Sequence, residues 1–344
     1  MRIAQLAPLW KTVPPLKYGG TELVVSSITE SLHQKKQDVT LFACEGSVTA
    51  ARLIEVIDKP MYDLVNGFSW NAIQPYEFLL YDDLFSRLKE FDIIHNHLGF
   101  HPLIFSKLID VPIITTLHSS AAPDFPDIVN RVKNNHFVSI SNAQRKIIPD
   151  LNYVDTIYHG IDTKKYSFDL DTQGEYLLFV GSLTKNKGID IAVKAAVELD
   201  EKLIIAGEIR REDEEFLKRE VYPYIKNKKI EFVGEIDFVK KNELFSHAKA
   251  LLFPIRWNEA FGLVMAESLA SGTPVIAYNN GSVSEVLKND ITGYVVDDYE
   301  DFKKAILKAG NLSRKACRED AVNRFDIDVM ADNYIKLYER ILHS

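Results

Sequence analysis

The chain has 344 residues, 46% hydrophobic and 26% charged, an ordinary globular balance with room for two cores. Its 41 Lys and Arg against 49 Asp and Glu give a formal net charge of -8, which argues against nucleic acid or an anionic membrane as the main partner. Cys44 and Cys317 lie far apart and build neither a disulfide framework nor a metal cluster, so a reducing, cytoplasmic setting is expected. No apolar run nears the roughly 18 residues that span a bilayer, and no signal-peptide core opens the chain. Any membrane contact is therefore expected to be peripheral.

Residues 2–6 form a first strand. A loop with Pro8, Pro14 and Pro15 leads to Tyr18-Gly19-Gly20-Thr21-Glu22, and Leu23, Val24, Ile28 and Leu32 keep a helical period that predicts a helix over about 21–35. Strand, glycine turn and helix offer a sheet edge and a helix start to a phosphate; a plain turn role for Gly19 and Gly20 explains the pair equally well. The G-x-G-x-x-G dinucleotide fingerprint is absent. Further strands are predicted at 39–43, 92–97, 112–118, 137–141 and 156–159, with helical segments at 76–91, 102–109 and 142–150. This alternation implies a parallel sheet with helices on both faces. His118 ends its strand at the edge where such sheets take ligands, and a local bond within its loop is the equal alternative. His95, His97 and His101 form a denser group, read as structural or acceptor-side in preference to metal-binding.

A polar stretch with Asp169, Asp171, Gln173 and Gly174 reads as a linker. A second series follows, with strands at 176–181, 202–206, 230–233, 250–255, 275–278 and 294–296. Its helices are predicted at 189–199, 212–226 and 240–247, and closing helices at 301–309, 314–324 and 326–342. The last is long enough to cross back to the first domain. The fold class is thus α/β, with two doubly wound parallel-sheet domains.

Two loops carry candidate chemistry. Gly181-Ser182-Leu183-Thr184-Lys185-Asn186-Lys187-Gly188 puts glycines and two lysines at a strand end before a helix, a layout suited to a diphosphate or, more blandly, to a solvated surface. The stretch from Pro254 to Pro274 reads as the end of a buried strand, a polar loop, a short helix and a Gly-x-Pro stop. Glu259 precedes the helix, beside N–H groups of Phe261, Gly262 and Leu263 that are free to point outward; Glu267 follows two turns later. Both oxygens of a carboxylate can accept from a vicinal pair of sugar hydroxyls. A helix-dipole acid and a solvated face residue would give the same spacing. Leu263, Val264, Leu269 and Ala270 make this helix largely apolar, however, and an acid on a buried helix needs a partner.

Jointly, several segments resemble the retaining family-4 glycosyltransferases (glycosyl transferases group 1) of GT-B architecture. They are Tyr18-Gly19-Gly20-Thr21-Glu22, Thr116-Leu117-His118, Ser139-Ile140-Ser141, Gly160-Ile161-Asp162, Val180-Gly181 through Lys187-Gly188, and Pro254 through Pro274. Gly281-Ser282-Val283-Ser284-Glu285-Val286 and Thr292-Gly293-Tyr294 join them. The resemblance implies two facing Rossmann-like domains: 1–162 on the acceptor side, 163–324 binding the nucleotide sugar, and 325–344 a helix packing back on the first. It implies transfer from a nucleotide-diphosphate sugar to an acceptor hydroxyl with retention of configuration, without metal or cofactor.

By position, Glu259 and His118 are the expected catalytic residues, Glu259 meeting the transferred sugar and His118 lying beside it near the anomeric centre. Glu267 is expected on the ribose hydroxyls, the amides of Phe261, Gly262 and Leu263 on the sugar or diphosphate, and Lys187 on the diphosphate. Gly181 and Ser182 open the Lys187 loop. Gly19 and Gly20 are expected on the donor, Gly20 approaching its diphosphate from the first domain, and Ile236 is expected to touch the base through its backbone. One departure stands out: the family usually has an arginine where this chain has Ser182, and Lys185, Arg210 and Arg211 are the candidates to compensate. Asp169-Leu-Asp171 and Asp326-Ile-Asp328 spell a D-x-D pattern but read as linker and helix cap. An idle nucleotide-sugar-binding protein or an epimerase of the same fold is the alternative. The donor (a UDP-, GDP- or ADP-linked hexose) and the acceptor (glycan, lipid-linked or small molecule) stay open.

Overall fold

The protein is described by a computed structural model for residues 1–344 apart from 17–18, 65–69, 120–123, 171, 173, 227 and 344, and apart from the side chains of 70–72. Tyr18, Asp171 and Gln173, used in the sequence reading, thus lie outside the described residues. The chain divides into two compact units, residues 1–160 with 327–344, and residues 161–326.

In the first unit, seven strands form one parallel sheet: β1 (Arg2–Leu6), β2 (Asp38–Cys44), β3 (Arg52–Ile57), β4 (Ile93–Asn96), β5 (Ile113–Thr116), β6 (His136–Ser139) and β7 (Tyr153–Thr156). Their order is β3-β2-β1-β4-β5-β6-β7. Parallel neighbours require crossover segments, which cover both faces of the sheet, and so the inner strands are near-continuous apolar runs. Leu6, Phe42, Leu84, Ile94 and Phe137 are buried in the resulting core. Fully burying a side chain of this size contributes about 1.5–3 kcal/mol. The C-terminal helix Ile327–Leu342 belongs to this unit, burying Tyr334, Leu337 and Tyr338, while Lys35 pairs with Asp332 at 2.7 Å.

The second unit holds β8 (Tyr176–Val180), β9 (Leu203–Ala206), β10 (Ile230–Gly234), β11 (Ala248–Phe253), β12 (Val275–Tyr278) and β13 (Gly293–Val296), all parallel, in the order β10-β9-β8-β11-β12-β13. Leu177, Phe179, Ile205, Leu252, Ile276 and Phe302 lie in its core. Each sheet reverses its strand order once beside its first strand, between β1 and β4 and between β8 and β11. At such a reversal the loops leaving the carboxyl ends diverge and open a crevice.

Several elements escaped the sequence reading, among them β3, the helix Pro126–Val132 and the four-residue helices Met61–Leu64 and Val283–Val286. β3 is an edge strand whose residues are mostly half-exposed, so no buried apolar run marks it. The short helix Pro126–Val132 buries only Val132. The helix predicted over 212–226 is two pieces, Glu214–Glu220 and Tyr222–Ile225, with Pro223 at the start of the second. A proline lacks the N–H that a continuous helix would use there. No helix among the described residues is long and apolar enough to cross a membrane.

Candidate functional site

The second unit's switch point is flanked by the two loops singled out from sequence, the one after β8 and the one after β11. Arg256 binds them together: its guanidinium donates to both carboxylate oxygens of Asp190 at 2.8 and 2.6 Å and to the Lys185 carbonyl at 2.9 Å, and its backbone N–H donates to Asn186 O at 2.8 Å. Such a bidentate fork fixes orientation as well as distance. Across this junction Lys187 Nζ donates to Glu259 Oε2 at 2.9 Å, with side-chain exposures of only 22% and 12%. The indole Nε1 of Trp257 donates to the same oxygen at 3.1 Å, and Lys187 stands 4.9 Å from the Trp257 ring centre.

Local backbone chemistry explains the shape of the glutamate loop. Gly262 takes a left-handed conformation, φ +79°, as the residue before the helix Leu263–Ala270, a conformation that side chains disfavour. Gly281, φ +65°, lies so close that a Cβ there would stand 2.3 Å from the Glu259 backbone. Beside it Ser282 donates its N–H to Glu259 O at 2.9 Å and its hydroxyl to Phe261 O at 3.1 Å. Phe261 is itself buried, and Leu263 begins the helix.

Glu267 sits on that helix with 4% of its surface exposed. The partner demanded by its burial is double: Tyr166 Oη donates to Oε1 at 2.9 Å and Lys241 Nζ to the same oxygen at 2.6 Å. Burial, and then the Glu267 charge, push the Tyr166 phenol well above its ordinary pKa, so it stays a donor. Arg318 donates to the Ala270 carbonyl at the helix end, a C-terminal cap that the sequence did not suggest. Gly181 and Ser182 follow β8, and Arg210 Nη2 reaches Ser182 Oγ at 3.4 Å, the long end of a hydrogen bond. Arg210 is thus the cation that comes to Ser182. Ile236 is half-buried two residues beyond β10.

The remaining expected residues belong to the first unit. Gly19 directly precedes the helix Gly20–Gln34, which follows the β1 loop. His118 lies just past β5 and joins a ladder at that unit's switch point. Its Nε2 meets His97 Nδ1 at 2.9 Å, its Nδ1 meets His159 Nε2 at 3.3 Å, and His97 Nε2 meets Gln5 Oε1 at 2.8 Å. With the Gln5 oxygen as acceptor, each imidazole in the line donates through Nε2, and His97 and His118 accept at Nδ1. His95 packs against His97, ring centres 4.0 Å apart and planes tilted by 41°, and bonds Tyr338 Oη through Nδ1 and Thr116 Oγ1 through Nε2 at 2.7 and 2.8 Å. Burial drives the His118 pKa down to about 4 and holds His95, His97 and His159 well below the ordinary imidazole range. His118 therefore stands neutral with both nitrogens bonded to neighbouring rings. His101 is separate, meeting the buried Glu77 at 3.0 Å. Of the D-x-D aspartates, Asp326 accepts a hydrogen bond from Thr163 and Asp328 one from Ser31, at 3.1 Å for the second pair.

The structure thus unites Glu259 with Lys187, and supplies Tyr166, Lys241 and Trp257 as partners that sequence reasoning did not identify. Trp257 stood inside the stretch from Pro254 to Pro274 and could have been noticed; Tyr166 and Lys241 carry no local signal.

Comparison with known proteins bears on family and fold. The family model for Glycosyltransferase Family 4 matches residues 18–165, and that for Glycosyl transferases group 1 matches residues 161–324. An uncharacterized 41.2 kDa protein in the cps region of Klebsiella pneumoniae is 31% identical over 173 residues, 47% of this chain and 46% of that protein, so the match spans under half of that relative. Among solved structures, sucrose-phosphate synthase from Thermosynechococcus elongatus has a TM-score of 0.83 at 18% identity, covering 100% of this chain and 99% of that one. The Anabaena protein HepE in complex with UDP-glucose has a TM-score of 0.74 at 16% identity, covering 99% of this chain and 100% of that one. These two likenesses are of fold. With family models matching both units and two parallel sheets of the expected class, the chain belongs to the group 1, family-4 glycosyltransferases of GT-B fold.

Proposed function

We propose that the protein moves a hexose from a nucleotide-diphosphate sugar to an acceptor hydroxyl, with retention of anomeric configuration and without a metal ion. The Lys187–Glu259 pair at the second unit's switch point carries this reading, because it sets a cation and a hydroxyl acceptor side by side where an activated sugar needs both. The likeness to a protein solved with UDP-glucose supports a nucleotide sugar as the donor.

In the proposed reaction the bond from the anomeric carbon to the diphosphate breaks with its electron pair going to the diphosphate oxygen. The acceptor hydroxyl attacks the same face, and its proton passes to that oxygen. Lys187, with Arg210 beside Ser182, stabilises the leaving charge; Glu259 orients the sugar; Glu267 holds the ribose. The backbone of Gly181, Phe261, Gly262 and Leu263 lines the anionic part, and Ile236 the base. On the first unit His118 is assigned to the transferred sugar, and Gly19 and Gly20 to the donor, Gly20 to its diphosphate. Neutral and bonded through both nitrogens, His118 acts in this reading by shape and polarity rather than by carrying a proton.

The test incubates the chain with UDP-glucose, GDP-mannose and ADP-glucose, follows nucleoside diphosphate release, and reads the anomeric configuration of the product by NMR. Turnover of one donor with retained configuration, undiminished in chelator, is expected. Inverted product, or activity lost to chelator and restored by Mn or Mg, rejects the mechanism.

A further inference from the structure

Glu259 and Glu267 are held in the same way, which neither the family match nor the proposed reaction required. In each, two donors fall on a single oxygen. Glu259 Oε2 receives Lys187 Nζ at 2.9 Å and Trp257 Nε1 at 3.1 Å. Glu267 Oε1 receives Lys241 Nζ at 2.6 Å and Tyr166 Oη at 2.9 Å. The second oxygen of each carboxylate receives no hydrogen bond from the described residues. Each clamp thus joins one lysine to one aromatic donor, drawn from different parts of the chain.

We propose that Trp257, Tyr166 and Lys241 are positioning residues that commit one oxygen of each glutamate to the protein and present the other to a hydroxyl group of the nucleotide sugar. A lysine alone is a mobile point charge and leaves a carboxylate free to turn. A ring N–H or phenol O–H on a stiff two-torsion side chain removes that freedom, so the rotamer is fixed before ligand arrives and less ordering is lost on binding. The fully protonated state of the buried Tyr166 phenol fits this donor role. The sequence reading, in which both oxygens of each glutamate share a hydroxyl pair, is thereby narrowed: one oxygen per glutamate faces the ligand.

The inference rests on the nucleotide-sugar reading above, and the experiment separates the two. Calorimetry first ranks UDP, GDP and ADP on the wild-type chain; the tightest is then compared with its 2′,3′-dideoxy analogue and with its glucose or mannose conjugate. Tyr166→Phe is expected to shrink the ribose-over-dideoxy preference by about tenfold, the worth of one hydrogen bond to a charged group, while dideoxy binding stays unchanged. Trp257→Phe should keep that preference and instead shrink the advantage of the conjugate over the bare diphosphate. Lys241→Gln repeats the first test should Tyr166→Phe unfold, as checked by circular dichroism. Uniform weakening toward every ligand, or unchanged ratios, overturns the positioning roles while leaving the nucleotide-sugar reading intact. A wild-type chain that binds none of the three diphosphates overturns both.

Discussion

The two switch points are built of opposite materials. In the first unit, four buried imidazoles hold one another and stand neutral, because burial outweighs every gain from protonation. Their geometry depends on the direction of each hydrogen bond, and an added proton would set two donors against each other. In the second unit two carboxylates are each held by a lysine and an aromatic donor, so geometry rests on paired charge together with a directed hydrogen bond. A neutral ladder shapes a surface without polarising it; a charged cluster of partly dry pairs can respond to an anion and to hydroxyls. The first arrangement suits recognition and the second suits the chemistry of a leaving diphosphate.

The largest effect should come from discharging the second cluster. On the proposed reading Glu259→Ala removes the sugar's hydroxyl acceptor, and it takes from Lys187 its carboxylate partner; donor turnover is expected to fall by about 10²–10³, as when one preorganised polar contact to the reacting centre is lost. Thermal melting of the variant separates this from unfolding. If His118→Ala abolished turnover while Glu259→Ala spared it, the contrast between the units would be inverted.

Acid should then distinguish the units by stability. Unfolded imidazoles titrate near 6.5, whereas His118 in the folded chain titrates near 4 and the other three ladder histidines well below their ordinary value. Below pH 6.5 the unfolded state therefore binds more protons than the folded one. The first unit keeps its full stability above that pH and loses up to about 1.4 kcal/mol per histidine for each unit of pH on descent toward 4. Hydrogen exchange at pH 7.5 and 5 should show amides of β4 and β5 losing protection while those of β8 and β11 keep theirs. Equal loss in both sheets would mean that the ladder is not what makes the first unit acid-sensitive.

The unevenness of the two units also explains what could be read from residues alone. Glu259, Phe261, Gly262, Leu263 and Glu267 fall in one contiguous stretch, and Lys187 in a strand-end loop, so their chemistry was visible as pattern. Tyr166 stands 101 residues and Lys241 26 residues from Glu267, and neither position has a local reason to be polar. The histidines were each visible as residues near strand ends. Their mutual bonding was not, because it depends on β1, β4 and β5 being neighbours, and alternation of strand and helix does not determine strand order. Burial on both faces made the inner strands legible, and the half-exposed edge strand β3 went unseen for the converse reason.

A smaller effect is expected where the charged cluster is merely loosened. Arg256→Ala removes the fork to Asp190 and the bond to the Lys185 carbonyl, so the loop carrying Lys187 gains freedom relative to Glu259. About a tenfold loss in kcat/KM, or roughly 1.4 kcal/mol, is expected from such misplacement. Arg256→Lys should recover little of it, since an ammonium cannot reproduce the planar fork. Full activity in Arg256→Ala would show that the two loops hold their register without it.

The mildest change should come from trimming the neutral ladder at its far end. Tyr338 Oη and His95 Nδ1 lie 2.7 Å apart inside the first unit, and both residues are fully buried. Tyr338→Phe keeps the ring and its packing but leaves the imidazole nitrogen without that hydroxyl, a cost of about 1 kcal/mol. The denaturant midpoint should fall with its slope unchanged, and donor turnover should hold, because the charged cluster of the second unit is untouched. A larger drop in turnover than in stability would show that the ladder transmits its order to His118 and that the contrast between a shaping unit and a reacting unit is drawn too sharply.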